Sequence, residues 1–225
     1  MPVLRMTATV DLARTEVLRR RIRGIVVATI AYNLVEAIVA LAAGTVASSA
    51  ALVGFGLDST IEVLSAGAVA WQFTRRDPER WERGTLRVIA VAFFALAAYV
   101  VVSSTASLLL RTEPDSSPVG IGLAAASVVA MPVLSLVERR AGRELGSATA
   151  VADSRQTLIC AYLSGAVLVG LVLNSVFGWW WADPAAALVI AIFAVREGVE
   201  AWRGDACATS VGMLLEDEQD EHLGR

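Results

Sequence analysis

The chain has 225 residues, 56% of them apolar, a mean hydropathy of +0.62 and a formal net charge of -3. Soluble domains hold roughly 45–50% apolar residues, so this excess points to the membrane class. All 19 basic residues are arginines, gathered in clusters between long apolar runs, which leaves no basic stripe suited to nucleic acid.

A hydrocarbon core about 30 Å thick requires roughly 20 apolar residues in a helix that rises about 1.5 Å per residue. The first such run covers residues 24–44. It follows an arginine-rich N-terminal segment, residues 1–23, in which no cleavable signal peptide is expected. A second run spans 49–73, and the charged stretch 74–87 after it reads as a water-exposed loop. The third run spans 88–110, and Pro118 opens the fourth, 118–137, where its missing N–H costs nothing. Pro132 lies inside that run and is expected to kink it. The fifth run spans 157–178. Pro184 opens the sixth, 184–203, which is apolar to Val195 and then carries Arg196, Glu197 and Glu200. Arg196 and Glu200 are spaced to pair on one helix face. Residues 204–225 form a short acidic tail, too small for a core of its own. Cys160 in an apolar run and Cys207 in the tail do not suggest a disulfide framework.

The sequence therefore predicts an all-α bundle of six transmembrane helices. Fifteen arginines lie in the N-terminal segment and in the stretches after the second and fourth runs, whereas the opposite side carries only Arg111. That bias places both termini in the cytoplasm of a multi-pass cell-membrane protein. Trp179, Trp180 and Trp181 suit the outer interface, where an indole ring sits among headgroups.

Ionisable groups at membrane depth cost a few kcal/mol and mark function. Glu36 in the first helix and Asp58 and Glu62 in the second are such groups. Asp58 and Glu62 share a helix face one turn apart. Counted from the outer ends, Glu36 and Asp58 both lie roughly 12–14 Å deep, with Asn33 nearby. Acids clustered in low dielectric repel, and either protonation or a cation among them relieves the repulsion. Both outcomes suit a transporter that exchanges a metal cation for protons. No membrane histidine, nucleophile–base pair or cofactor loop suggests an enzyme, and no permanently bound cofactor is expected.

The stretch Ala47-Ser-Ser-Ala-Ala-Leu-Val-Gly-Phe-Gly-Leu-Asp58-Ser59-Thr-Ile-Glu62 resembles the second helix of the cation diffusion facilitators, the zinc and manganese efflux family. Ala152-Asp153-Ser-Arg-Gln156-Thr-Leu-Ile-Cys160 is similar to that family's fifth helix, and Ala182-Asp183-Pro184 to the start of its sixth. The resemblance implies a six-helix, usually dimeric membrane domain with a tetrahedral metal site between the second and fifth helices. It also implies efflux of a divalent metal, zinc first, in exchange for protons. Carried over by position, the ligands would be Asp58, Glu62, Gln156 and Cys160. The family's helix 5 histidine and aspartate are here Gln156 and Cys160, so this half of the site departs from the pattern. If Cys160 binds as a thiolate, softer ions such as zinc or cadmium are favoured. If both residues are structural, Glu36 replaces them, and an oxygen-only site favours manganese or iron(II). Asp153 reads as an entry residue or as an acid at a helix N-terminus. Loss of these ligands leaves a second reading open, a non-transporting metal sensor or partner subunit. The small-residue runs Gly120–Ala126 and Ser103–Ser107 permit a homodimer formed through the membrane helices.

Overall fold

A computed structural model describes residues 3–73, 78–145 and 148–204. Among these residues the chain forms six α-helices, joined in order: α1 (Val3–Ala47), α2 (Ala50–Phe73), α3 (Pro78–Leu110), α4 (Pro118–Leu145), α5 (Ala148–Phe177) and α6 (Ala182–Arg203). The six-helix, all-α architecture agrees with the sequence expectation. The acidic tail, with Cys207, lies outside the described residues.

The helices differ from the apolar runs mainly at the ends that carry the arginine clusters. α1 extends upstream through the arginine-rich segment to Val3. Most of the stretch expected as a loop, from Pro78 onward, is the first part of α3. Arginine and glutamate are good helix formers, and Pro78 takes the first-turn position that proline favours, so the helix continues where the membrane signal stops. Pro132 is accommodated within α4, which runs unbroken from Pro118 to Leu145. Among the described residues, five helices are long and apolar enough to cross a membrane, and α6 is not one of them. The charges at Asp183, Arg196, Glu197, Glu200 and Arg203 place α6 below that mark, although it is helical throughout.

The outer face of the bundle is more apolar than a soluble protein's, and polar side chains are buried beside an apolar core. Val35, Ile38, Val46, Val102 and Ile192 point outward, whereas Asn33, Glu36, Asp58, Ser59, Ser104, Ser127 and Ser164 are buried among the helices. Lipid tails solvate the outer apolar face, and polar side chains find partners inside. This is a multi-pass membrane protein.

α1 and α2 form a tight antiparallel pair. A Cβ added at Gly44 would stand 2.7 Å from the Val53 backbone nitrogen, and one at Gly56 would stand 2.9 Å from that of Leu41. Only glycine allows two helices this close. The same register carries on inward, bringing Glu36 to Ser59 and Asn33 to Glu62. At the opposite ends of these helices, Ser48 turns the chain with φ of 53°, and the Ser49 N–H closes back on the Gly44 carbonyl at 3.0 Å.

Candidate functional site

α1, α2 and α4 surround Glu36, which is 2% exposed. Ser59 of α2 donates to its Oε2 at 2.8 Å, and Ser127 of α4 donates to its Oε1. The Tyr32 hydroxyl, one turn before Glu36 on α1, lies 2.8 Å from Ser127 Oγ. The chain Tyr32–Ser127–Glu36–Ser59 thus links three helices through hydroxyls and one carboxylate.

Glu62 lies one turn further along α2. Asn33 Nδ2 of α1 donates to its Oε2 at 2.6 Å, and the Cys160 thiol of α5 donates to its Oε1 at 2.7 Å. A thiol that donates to a carboxylate carries its proton. Cys160 is also packed with Met131 and Ala161 and against Tyr32, Leu134 and Leu158. Asp58 is buried on the same face of α2, within electrostatic range of Glu62 and Glu36.

The structure brings in one acid that the sequence reading did not assign to the site. Glu197 of α6 acts electrostatically on both Asp58 and Glu62, and accepts a hydrogen bond from the Gln156 side chain of α5. Its neighbours Arg196 and Glu200 pair with each other at 2.9 Å on the exposed side, as their spacing predicts. Glu197 is turned the other way. The only sequence signal for it was an acid in the inner part of an otherwise apolar span. Which helix it faces depends on how α6 packs against α2 and α5.

Of the residues expected at the site, then, Asn33 and Cys160 are brought onto Glu62, and Asp58 lies one turn away on the same face of α2. Gln156 bonds to Glu197, and Glu36 lies beside Ser59, level with Asp58, in its own hydroxyl network. Asp153 falls on α5, but its side chain lies outside the described residues. Among the described residues, no three His, Cys, Asp or Glu side chains are close enough together to enclose a metal ion.

Two oxygens at this site are buried with no hydrogen-bond partner among the described residues, Asn33 Oδ1 and Glu197 Oε1. A buried acceptor without a partner costs about 1–3 kcal/mol. The hydrogen bonds described for Glu36 and Glu62 all come from neutral groups, with no cationic partner among the described residues.

Asp183 has a different role. Ser49 donates to its Oδ1, and the Ala51 N–H donates to its Oδ2 at 3.3 Å. The Ala-Asp-Pro start of α6 therefore caps the N-terminus of α2, where an acid satisfies orphan N–H groups and complements the helix dipole.

Residues 26–203 match the family model described as the cation efflux transmembrane domain. The chain is 26% identical over 187 residues to the cation-efflux pump FieF of Shewanella oneidensis, covering 80% of this chain and 61% of that protein. It is 29% identical over 162 residues to an uncharacterized transporter of Synechocystis, covering 66% and 51%. It is 21% identical over 176 residues to transmembrane protein 163 of Xenopus laevis, covering 76% and 63%. The chain thus spans between about half and two thirds of the length of these relatives. Matched over most of its length and through all six helices, the chain belongs to the cation efflux transmembrane domain family.

Proposed function

We propose that this protein is a secondary transporter that exports a divalent metal cation, zinc or a similar ion, from the cytoplasm in exchange for protons. Asp58 and Glu62 supply the carboxylates that hold the cation, and Glu36 carries the exchanged proton. The observation that carries this reading is the buried acidic level of α1 and α2, whose described hydrogen-bond partners are neutral. Carboxyls in that setting alternate between protonated and cation-bound forms, the exchange an antiporter performs. The cation-efflux name of the Shewanella relative supports the same direction of transport. The arginine bias supports both termini lying in the cytoplasm of the cell membrane.

The test is Zn2+ flux into proteoliposomes containing purified protein, with Asp58→Ala and Glu62→Ala measured at matched protein levels. Flux is expected in wild type and lost in both variants. Wild-type flux rates in both variants would end this reading.

A second reading is favoured by one specific observation, the lack of any enclosed three-ligand cluster among the described residues. Under it the protein is a metal sensor or partner subunit. Zn2+ binding without flux in the same reconstituted protein identifies that case.

A further inference from the structure

We infer that the cation site is completed by α1 and α6, through Asn33 and Glu197, and that α5 serves to hold carboxylates in place. This inference rests on the transporter reading above. The family pattern would take two ligands from α5. Here, however, both α5 residues are already committed to acids of other helices: Cys160 donates to Glu62, and Gln156 bonds Glu197. The acceptors left over lie elsewhere. Asn33 is 6% exposed, its amide nitrogen is fixed on Glu62 at 2.6 Å, and its Oδ1 is buried without a partner. Glu197 Oε1 is likewise buried without a partner, on a helix that reaches the field of Asp58 and Glu62.

Two unpartnered acceptor oxygens, one on the residue that bonds half-buried Glu62 and one on an acid in the field of buried Asp58, call for a positively charged guest. Asp58, Glu62, Glu197 and the Asn33 carbonyl make an all-oxygen set drawn from three helices. Zn2+, Mn2+ and Fe2+ accept such ligands, and a protonated thiol is not needed among them. Binding then draws α6 toward α1 and α2, because the acids do not enclose an ion in the arrangement described. Gln156 and Cys160 act as positioning residues, each presenting a carboxylate to the site.

The experiment is calorimetric titration of Zn2+ into the full purified chain in detergent, paired with Zn2+ flux in vesicles. Glu197→Gln and Asn33→Leu are each expected to weaken binding about tenfold or more, a loss of about 1.4 kcal/mol. Glu200→Gln removes the same charge three residues away, on the exposed side of α6, and is expected to bind as wild type. Asn33→Asp also loses the N–H that holds Glu62 but keeps an oxygen at that position, and is expected to bind more tightly than Asn33→Leu, a recovery that a merely structural asparagine does not give. Glu197→Asp is expected to restore much of the affinity lost in Glu197→Gln. Wild-type affinity in both Glu197→Gln and Asn33→Leu would overturn the inference while leaving the transporter reading intact. If Glu197→Gln does not assemble, the pair at position 33 decides: equal affinity in Asn33→Asp and Asn33→Leu overturns the inference. A wild-type chain that neither binds nor moves Zn2+ refutes the transporter reading and this inference with it.

Discussion

Glu36 accepts from two serines, and each serine has a second acceptor within reach. Ser59 Oγ lies 3.1 Å from the Phe55 carbonyl, and Ser127 Oγ lies 3.0 Å from that of Leu123. When Glu36 is ionised, both hydroxyls turn to it, and Tyr32 donates to Ser127. When Glu36 is protonated, the serines turn to their own helix carbonyls, and the carboxyl donates to Ser127 Oγ. Either state is satisfied by hydroxyl rotation alone, with no helix movement, which suits a group that loads and unloads a proton. Glu36→Gln keeps the shape but cannot titrate. Its proteoliposomes are expected to lose Zn2+-driven proton movement, read with a trapped pH dye. Proton release per Zn2+ equal to wild type would remove Glu36 from the coupling. At this scale the sequence revealed a good deal. Glu36, Asp58, Glu62 and Asn33 stood out because a charged or amide group in an apolar run requires an explanation. Glu197 did not, because it sits among charges at the end of α6, and a helix end near water explains a glutamate without any site. Ser127 and Ser59 were silent as well, since serine in a membrane helix packs as readily as it hydrogen-bonds.

The elements are held by side chains far apart in sequence. Asp183 opens α6 yet satisfies the start of α2, 132 residues earlier, through Ser49 and the Ala51 N–H. Gly170 carries the packing further, since a Cβ there would clash with the Ala186 Cβ at 2.7 Å, so glycine is what lets α5 lie this close to α6. The Ala-Asp-Pro tripeptide was visible in the sequence, but its role was not, because the groups it caps belong to another helix. Apolar length gave the number of helices correctly. It could not give their ends: hydropathy reports where lipid stops, whereas backbone hydrogen bonding continues through Arg80, Arg83 and Arg87. Asp183→Ala leaves the α2 N–H groups and the Ser49 hydroxyl without their acceptor. The expected loss is about 1–2 kcal/mol, seen as a lower thermal unfolding midpoint in detergent. Asp183→Asn retains one acceptor oxygen and should fall between the two. A midpoint for Asp183→Ala equal to wild type would show that the cap contributes nothing to stability.

On the scale of the whole molecule, three turns are laced together on one face of the bundle. The Asp115 N–H bonds the Ala47 carbonyl at 2.9 Å, Asn174 Nδ2 bonds the Pro114 carbonyl at 2.8 Å, and Ser116 lies 3.0 Å from Ser175. Trp179 and Trp181 stack on the same face with ring centroids 5.4 Å apart. That face carries Arg111 and no arginine cluster, whereas the other end receives the arginines at the start of α3 and the end of α4. Under the proposed orientation the laced face is extracellular, and Glu197, in the last turns of α6, lies toward the cytoplasmic side. Single cysteines test this orientation directly in a Cys207→Ser background, with Cys160 buried and shielded. Thr112→Cys lies on the laced face and is exposed, and a membrane-impermeant maleimide is expected to label it in intact cells. Arg143→Cys lies at the other end of α4, also exposed, and should be labelled only after the membrane is permeabilised. The reverse pattern would invert the bundle and turn Glu197 toward the outside. Export would then have to load its cation from the laced face, where Asp183 and Ser49 are already engaged in capping α2.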